Sequence, residues 1–506
     1  MASTGFEHHS APEIRSIRSN EKYAYDETPS ARGVDDDALP HSPGDDDSMK
    51  PVFDNTHRKL KPRHFQLIGI GGTIGTALYV QIGHGLIQGG PASLFMAFTI
   101  WCTFILAVTV CMAEMVTYLP ISSPFIRFAG RYVDEAFGVA AGYNFFVFEA
   151  MLVPFEIVAC NVIIHYWSEA VPAGGIIAIV IVLYGLINIF AVKWYGESEF
   201  WLALGKVILI VGLILYTFIT MLGGNPQHDR FGFRYWKNPG SFAQLYKTGS
   251  LGRWLGFLQC LIQASFTIAG PDYVSMAAGE AENPRMVMPR AYNKVFGRLM
   301  AFFVLGSLAV GINVPYTDKE LNEAFSNAAP GAAASPYVVA MDRLGITVLP
   351  DIVNALVLSA AFSAGNSYVT ASQLINFSVM TFTFIKFKKA CEAQGLSRDS
   401  LPYKGRFQPY LAWYALTGCF IMTFVGGYTV FLPGQWSVPT FLFSYTMIGV
   451  FPVLFVTWKL LKKTKWLKPE EVDLYKDVEE IEEYTRNYVP KPPRNNFQKV
   501  LDWLFN

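Results

Sequence analysis

The feature that most restricts this chain is a succession of apolar runs, each about 20 residues long and almost free of charge. Soluble cores rarely need such runs in series, whereas a bilayer needs one per crossing. Eleven candidate spans follow, at roughly 65–88, 92–118, 140–166, 173–192, 200–222, 254–278, 296–315, 346–367, 368–387, 411–431 and 438–461. Each reads as a helix, because lipid offers no partner to an exposed backbone amide. Charged residues are only 16% of the 506, against about a quarter in soluble proteins, and they crowd into 1–63 and 459–506. The fold class is therefore an all-α polytopic membrane protein.

The net charge is zero, so no global field favours nucleic acid. Cys102, Cys111, Cys160, Cys260, Cys391 and Cys419 lie mostly in apolar segments without a CxxC pair. They read as small core hydrophobes rather than disulfides or metal ligands. The polar first 63 residues, with acidic triplets at 35–37 and 45–47, show no cleavable signal and read as a disordered cytosolic tail. Lysines on the tails are candidate targets for ubiquitination or trafficking machinery; a plain solvated tail is the competing reading.

Loop charges set the orientation. Arg58, Lys59, Lys61 and Arg63 precede the first span and put the N-terminus in the cytosol. Arg127 and Arg131 follow the second span, and Arg285, Arg290, Lys294 and Arg298 follow the sixth. The alternation then fails. If 346–367 and 368–387 are separate spans, the basic loop 386–410 falls outside, and so does the flank Lys459, Lys462, Lys463, Lys465 and Lys468. Two repairs are open: a helix missing near residue 369, or one long segment that crosses only once.

Within the first span stands "GIGGTIGT", residues 69–76. Its glycines fit close helix packing or an unwound segment whose freed amides hold an anionic group. A dinucleotide loop is excluded, since the spacing is not G-x-G-x-x-G and no strand precedes it. The sixth span carries a second interruption, "FTIAGPD" at 266–272, where Pro271 removes a helix hydrogen bond and Asp272 follows directly. Broken helices at corresponding positions point to an inverted-repeat transporter with a central site. Glu114, Glu149, Glu156, His165 and Lys206 are the other ionisable groups at membrane depth. Lys206 suits proton coupling or a structural tie between helices, Glu149 shares a helix face with Glu156, and His165 reads as interfacial. The 223–253 loop reads as an extracellular cap. No nucleophile–base pair, phosphate loop or metal-ligand spacing is present, so the chain reads as no enzyme and calls for no cofactor or metal.

These motifs resemble the fungal amino-acid permeases of the amino acid–polyamine–organocation superfamily. The likeness rests on "IGIGGTIGTALYV" (68–80), "YGESEFWLALGKV" (195–207), "FGFRYWKNPGSF" (231–242), "AAGEAENPRMVMPRA" (277–291) and "GGYTVFLPGQW" (426–436). It covers about 60–465. It implies a LeuT-type fold of two inverted five-helix repeats plus two helices. The domains would be a tail (1–63), a permease domain (64–465; first repeat 65–222, second 254–387, extra helices 411–431 and 438–461) and a second tail (466–506). It also implies proton-driven uptake of L-amino acids across the plasma membrane. Carried over by residue, Gly71, Gly72, Thr73, Gly75 and Thr76 would hold the substrate carboxylate. Phe266, Thr267, Ile268, Ala269 and Gly270 would meet its ammonium and side chain, with Asp272 beside them. Glu156 matches the third-helix glutamate of a Pro-Leu-Glu motif, here Pro154-Phe155-Glu156, and Lys206 a fifth-helix lysine tied to proton coupling; Glu149 and Glu114 are further coupling candidates. In the family pattern, roughly sixty residues, enough for a span and its loops, separate "SAGNSYV" from "TASQLINFS". Here Val369 runs straight into Thr370. A transport-deficient sensor, or a non-functional shortened isoform, is the alternative to a working symporter.

Overall fold

The computed structural model describes residues 74–168, 170–190, 192–268, 271–326, 335–364 and 370–488. Met1–Asn55, and the terminal "NNFQKVLDWLFN", lie outside these residues. The described chain is built of helices. A π-helical turn, Ala77–Gln81, leads into α1 (Ile82–Tyr118). There follow α2 (Pro124–Tyr132), α3 (Glu135–Ile164), α4 (Ala173–Phe190), α5 (Val192–Met221), α6 (Gly249–Thr267) and α7 (Pro271–Met276). α8 (Pro284–Arg298) passes through a π-helical turn into α9 (Leu305–Asn313). After two short helices, Lys319–Ser326 and Pro336–Arg343, come α10 (Leu349–Ala364), α11 (Thr370–Ala393), α12 (Tyr410–Val425), α13 (Val438–Lys462) and α14 (Val478–Asn487). Five of the helical stretches are long and apolar enough to cross a membrane. Leucines, isoleucines and phenylalanines such as Phe146, Ile208, Phe218 and Leu442 face outward from them, as lipid-facing residues do.

α1 holds two spans, and the chain turns between them at Gly90 (φ 80°, ψ 170°) before Pro91. A side chain there would be strained, and its Cβ would stand 2.7 Å from the Ala243 nitrogen. The turn is covered by the 223–253 loop, whose Ala243 N–H donates to Gly89 O (2.9 Å) while Ala92 N–H donates to Ser241 O (2.9 Å).

One face of the bundle is marked by the C-terminal segment, which folds back across it. Leu467 N–H donates to Val133 O (2.9 Å), Tyr118 Oη to Leu474 O (3.2 Å) and Gln394 Nε2 to Val472 O (2.7 Å). Arg131 bonds Asp473 O (2.8 Å) and Asp477 (3.1 Å), and Arg285 reaches Glu482 (3.4 Å). This tail face therefore gathers the ends of α1, α2, α11 and α13 with the starts of α3 and α8. The loops 165–172, 222–248, 314–348 and 426–437 belong to the opposite face, where Gln227 bonds Arg343 O (2.8 Å) and Tyr428 bonds Leu255 O (3.2 Å).

The segment 349–393 meets both faces. At its start, Trp167 Nε1 donates to Asp351 (3.1 Å), so α10 begins beside the far end of α3. At its end, the Phe387 and Tyr132 rings lie 5.2 Å apart and α11 closes on the tail face. In between, Ser372 and Asn376 bond Asn144, nine residues or about 13 Å from the tail-face start of α3. α10 thus starts at the far face and α11, 24 residues long, ends at the tail face. A path for 349–393 that starts at one face and ends at the other agrees with the loop charges. The loop 386–410 and the flank after α13 then share the tail face with the loops after the second and sixth spans.

Candidate functional site

The first interruption is seen from one side and the second from both. Gly71, Gly72 and Thr73 lie outside the described residues; Ile74 and Gly75 are non-helical, and the helix begins only at Thr76. At the second break α6 ends at Thr267, and Ile268 turns extended (φ −101°, ψ 97°) before Pro271 opens α7. Ala269, Gly270 and the side chain of Asp272 lie outside the described residues. Proline at the first position of a helix costs nothing in hydrogen bonding, because that N–H has no partner in any case.

α3 links the two. Thr76 Oγ1 donates to Glu156 Oε1 across 3.4 Å, and both residues are buried. The adjacent Phe155 ring meets Phe266 edge-on at 6.5 Å, beside the second break. Phe266, Thr267 and Ile268 are buried with them. A carboxylate at this depth is costly unless it serves a cavity, a partner or a charge. Around it stand a hydroxyl and the ends of two helices, the equipment for holding a small zwitterion.

Lys206 is fully buried in α5. Its carbonyl accepts from Tyr79 Oη (2.8 Å), and the Tyr79 carbonyl accepts from Ser335 Oγ (2.8 Å). One turn of the first span therefore presents Thr76 to α3 and Tyr79 to α5. The sequence reading missed Tyr79 and Ser335. Tyr79 was visible as one turn beyond Gly75, but Ser335 sits 256 residues away and carries no local signal.

The remaining sequence candidates are not all brought here. Glu149 is half-buried two turns before Glu156 on α3. Glu114 is at the tail-face end of α1, where Arg398 Nε and Nη2 grip its two oxygens at 2.7 Å each and Gly405 N–H adds 3.0 Å. That arrangement pins the 394–409 loop to α1, and the structure does not join Glu114 to Thr76 and Glu156. His165 closes α3, with Nδ1 2.8 Å from Asn161 O and Nε2 3.1 Å from Val171 O. All six cysteines are free and buried.

Residues 64–373 and 368–470 match the amino acid permease family. The chain belongs to that family and is a multi-pass membrane transporter of amino acids. It is 44% identical to the general amino acid permease AGP2 of Saccharomyces cerevisiae, over 87% of this chain and 86% of that one. It is 34% identical to a proline-specific permease of Emericella nidulans (94% and 100%) and 31% identical to the basic amino-acid permease of S. cerevisiae (94% and 92%). Among solved structures, the nucleobase-cation-symport-1 transporter Mhp1 aligns at 14% identity over 84% of this chain and 97% of its own, with a TM-score of 0.40, too low to bear on the fold.

The match has a seam. Its two parts meet at 368–373. The alignment with the first relative is 513 residues long, yet 87% of this chain is only about 440 residues. For the Emericella permease the figures are 548 and about 476. Both leave about 70 positions with no residue here.

Proposed function

We propose that this protein is a proton symporter that takes up L-amino acids across the plasma membrane, with its N-terminus and tail face in the cytosol. The substrate carboxylate sits on Gly71, Gly72, Thr73, Gly75 and Thr76; its ammonium group and side chain meet Phe266, Thr267, Ile268, Ala269 and Gly270, with Asp272 at the rim. Glu156 carries the exchangeable proton nearest the substrate, and Lys206 and Glu149 are its coupling partners. The observation that carries this reading is the buried Thr76–Glu156 contact, which ties the first break to a titratable group beside the second. The related permeases, for general, proline and basic amino acids, leave the substrate class broad. The test is uptake of labelled amino acids into proteoliposomes under an inward proton gradient. Saturable uptake that collapses with a protonophore supports the reading; uptake indifferent to the gradient overturns symport.

A second reading is favoured by the seam. About 70 residues of the relatives have no counterpart where α10 meets α11, so this form binds amino acids without moving them. Saturable binding by equilibrium dialysis with no flux in the same preparation would select it. The path of 349–393 from one face to the other fits either reading, because replacing three crossings by one leaves the side of every later loop unchanged.

A further inference from the structure

The inner halves of α11, α12 and α13 do not close on one another. They enclose a groove of about 710 Å³ lined by Ile375, Val379, Phe382, Phe420, Phe451 and Phe455, with Trp466 at one end. Phe137 of α3 forms its floor, with ring centres 5.7 Å from Phe382 and 5.8 Å from Phe451. From Ile375 to Lys386 the helix rises about 16 Å, which is the hydrocarbon depth of a single leaflet. The volume falls within the ordinary range for a small-molecule site, about 300–1,000 Å³.

The groove's ends differ. Ile375 and Ile448 lie at the inner end, near the level of the Asn144–Ser372 tie. At the tail-face end the Lys386 ammonium lies 4.7 Å over the Trp466 ring, whose centre is 6.0 Å from Phe382. Lys462 lies 5.8 Å over Trp458, and Lys463 and Lys465 follow in exposed positions. Lys459 is already bonded to Asp134. An apolar slot one leaflet deep that ends at Lys386 over Trp466, with Lys462, Lys463 and Lys465 on the chain leading to that tryptophan, has the form of an anionic-lipid site.

We propose that this groove binds one acyl chain of an anionic glycerophospholipid from the tail-face leaflet, with the phosphate held by Lys386 and Lys462. A sterol would fill the slot but has no charge to offer the lysines, and a peptide would place unpaired amides against phenylalanines. The site is separate from the amino-acid site, so it stands or falls without it.

The test is native mass spectrometry of the purified full chain with dioleoyl phosphatidylglycerol, dioleoyl phosphatidylcholine or ergosterol added in turn. Phosphatidylglycerol is expected to be retained at least five-fold over phosphatidylcholine, since each lysine near a lipid surface contributes roughly a five-fold preference for negative charge. The double variant K386Q/K462Q should lose that preference, and inorganic phosphate should not compete in the wild type. T417W, at an exposed position lining the groove, should lower retention while leaving the lysines in place. Equal retention of the two phospholipids by the wild type, or preferential retention of ergosterol, overturns the proposal. So does an unchanged preference in K386Q/K462Q, and unchanged retention in T417W would put the lipid on the lysines alone and overturn the groove. Unaltered elution of both variants in size exclusion excludes misfolding as the cause.

Discussion

Two regions of this molecule bury polar groups at membrane depth, and they do it for different ends. Around Thr76, Glu156 and Phe266, a hydroxyl and a carboxylate meet beside interrupted helix, 3.4 Å apart. At the seam, Asn144, Ser372 and Asn376 form a tight set: Nδ2 to Ser372 O (2.8 Å), Nδ2 to Asn376 Oδ1 (2.7 Å), and Ser372 Oγ to Asn144 O (2.8 Å) and to its side-chain oxygen (2.9 Å). The first group lies beside interrupted backbone; the second is knitted between helices that run unbroken through it. Polarity inside a membrane therefore does not by itself mark a site. What separates ligand from mortar is whether the backbone around the polar groups is interrupted.

That distinction can be broken by mutation. The largest effect is expected for Glu156→Gln, which should abolish proton-driven uptake while leaving thermal stability in detergent unchanged; a matching fall in melting temperature would class Glu156 with the mortar. Glu114→Ala should do the reverse. It strands Arg398 and the Gly405 amide, and breaking such a buried pair costs about 3–5 kcal/mol, so the monodisperse fraction on heating should fall while amino-acid binding by the surviving protein keeps its Kd. Asn144→Val should cost about 1–2 kcal/mol of stability through lost interhelical hydrogen bonds, read from the same melting curve. Tyr79→Phe, the smallest, removes one hydrogen bond to the Lys206 carbonyl, worth about 1 kcal/mol. If Tyr79→Phe shifts the pH dependence of uptake as well, that carbonyl contact also positions Lys206.

How far these regions could be read beforehand differs in the same way. The apolar spans, the interruption before Pro271, the burial of the cysteines and the role of His165 at a helix end are local properties, and local pattern reveals them. Glu114 looked like a candidate for proton coupling because a lone carboxylate in an apolar run has few other visible uses. Its partner Arg398 lies 284 residues on, and nothing in either segment announces the pairing. The seam was half legible. Loop charges showed that two full spans at 346–387 were inconsistent, but only helix packing shows α10 starting at one face, α11 ending at the other and Asn144 tied to the start of α11. Helix limits also shifted: α3 starts at Glu135 and α8 at Pro284, before the apolar runs at 140 and 296. Asp134, as a side-chain cap on the Ala136 amide (2.9 Å), and Pro284 at a first helical position set those starts.

The fold-back of 467–488 across the tail face has a consequence for assembly. Its docking partners, Tyr118, Arg131, Val133, Arg285 and Gln394, belong to parts of the chain made long before it and come together only when their helices are inserted and packed. The buried Leu474 and Ile481 have nowhere else to go until then. Docking of this last segment is therefore an inspection step that the completed bundle passes and an incomplete one fails, and a protease acting on 463–488 would sort finished molecules from unfinished ones.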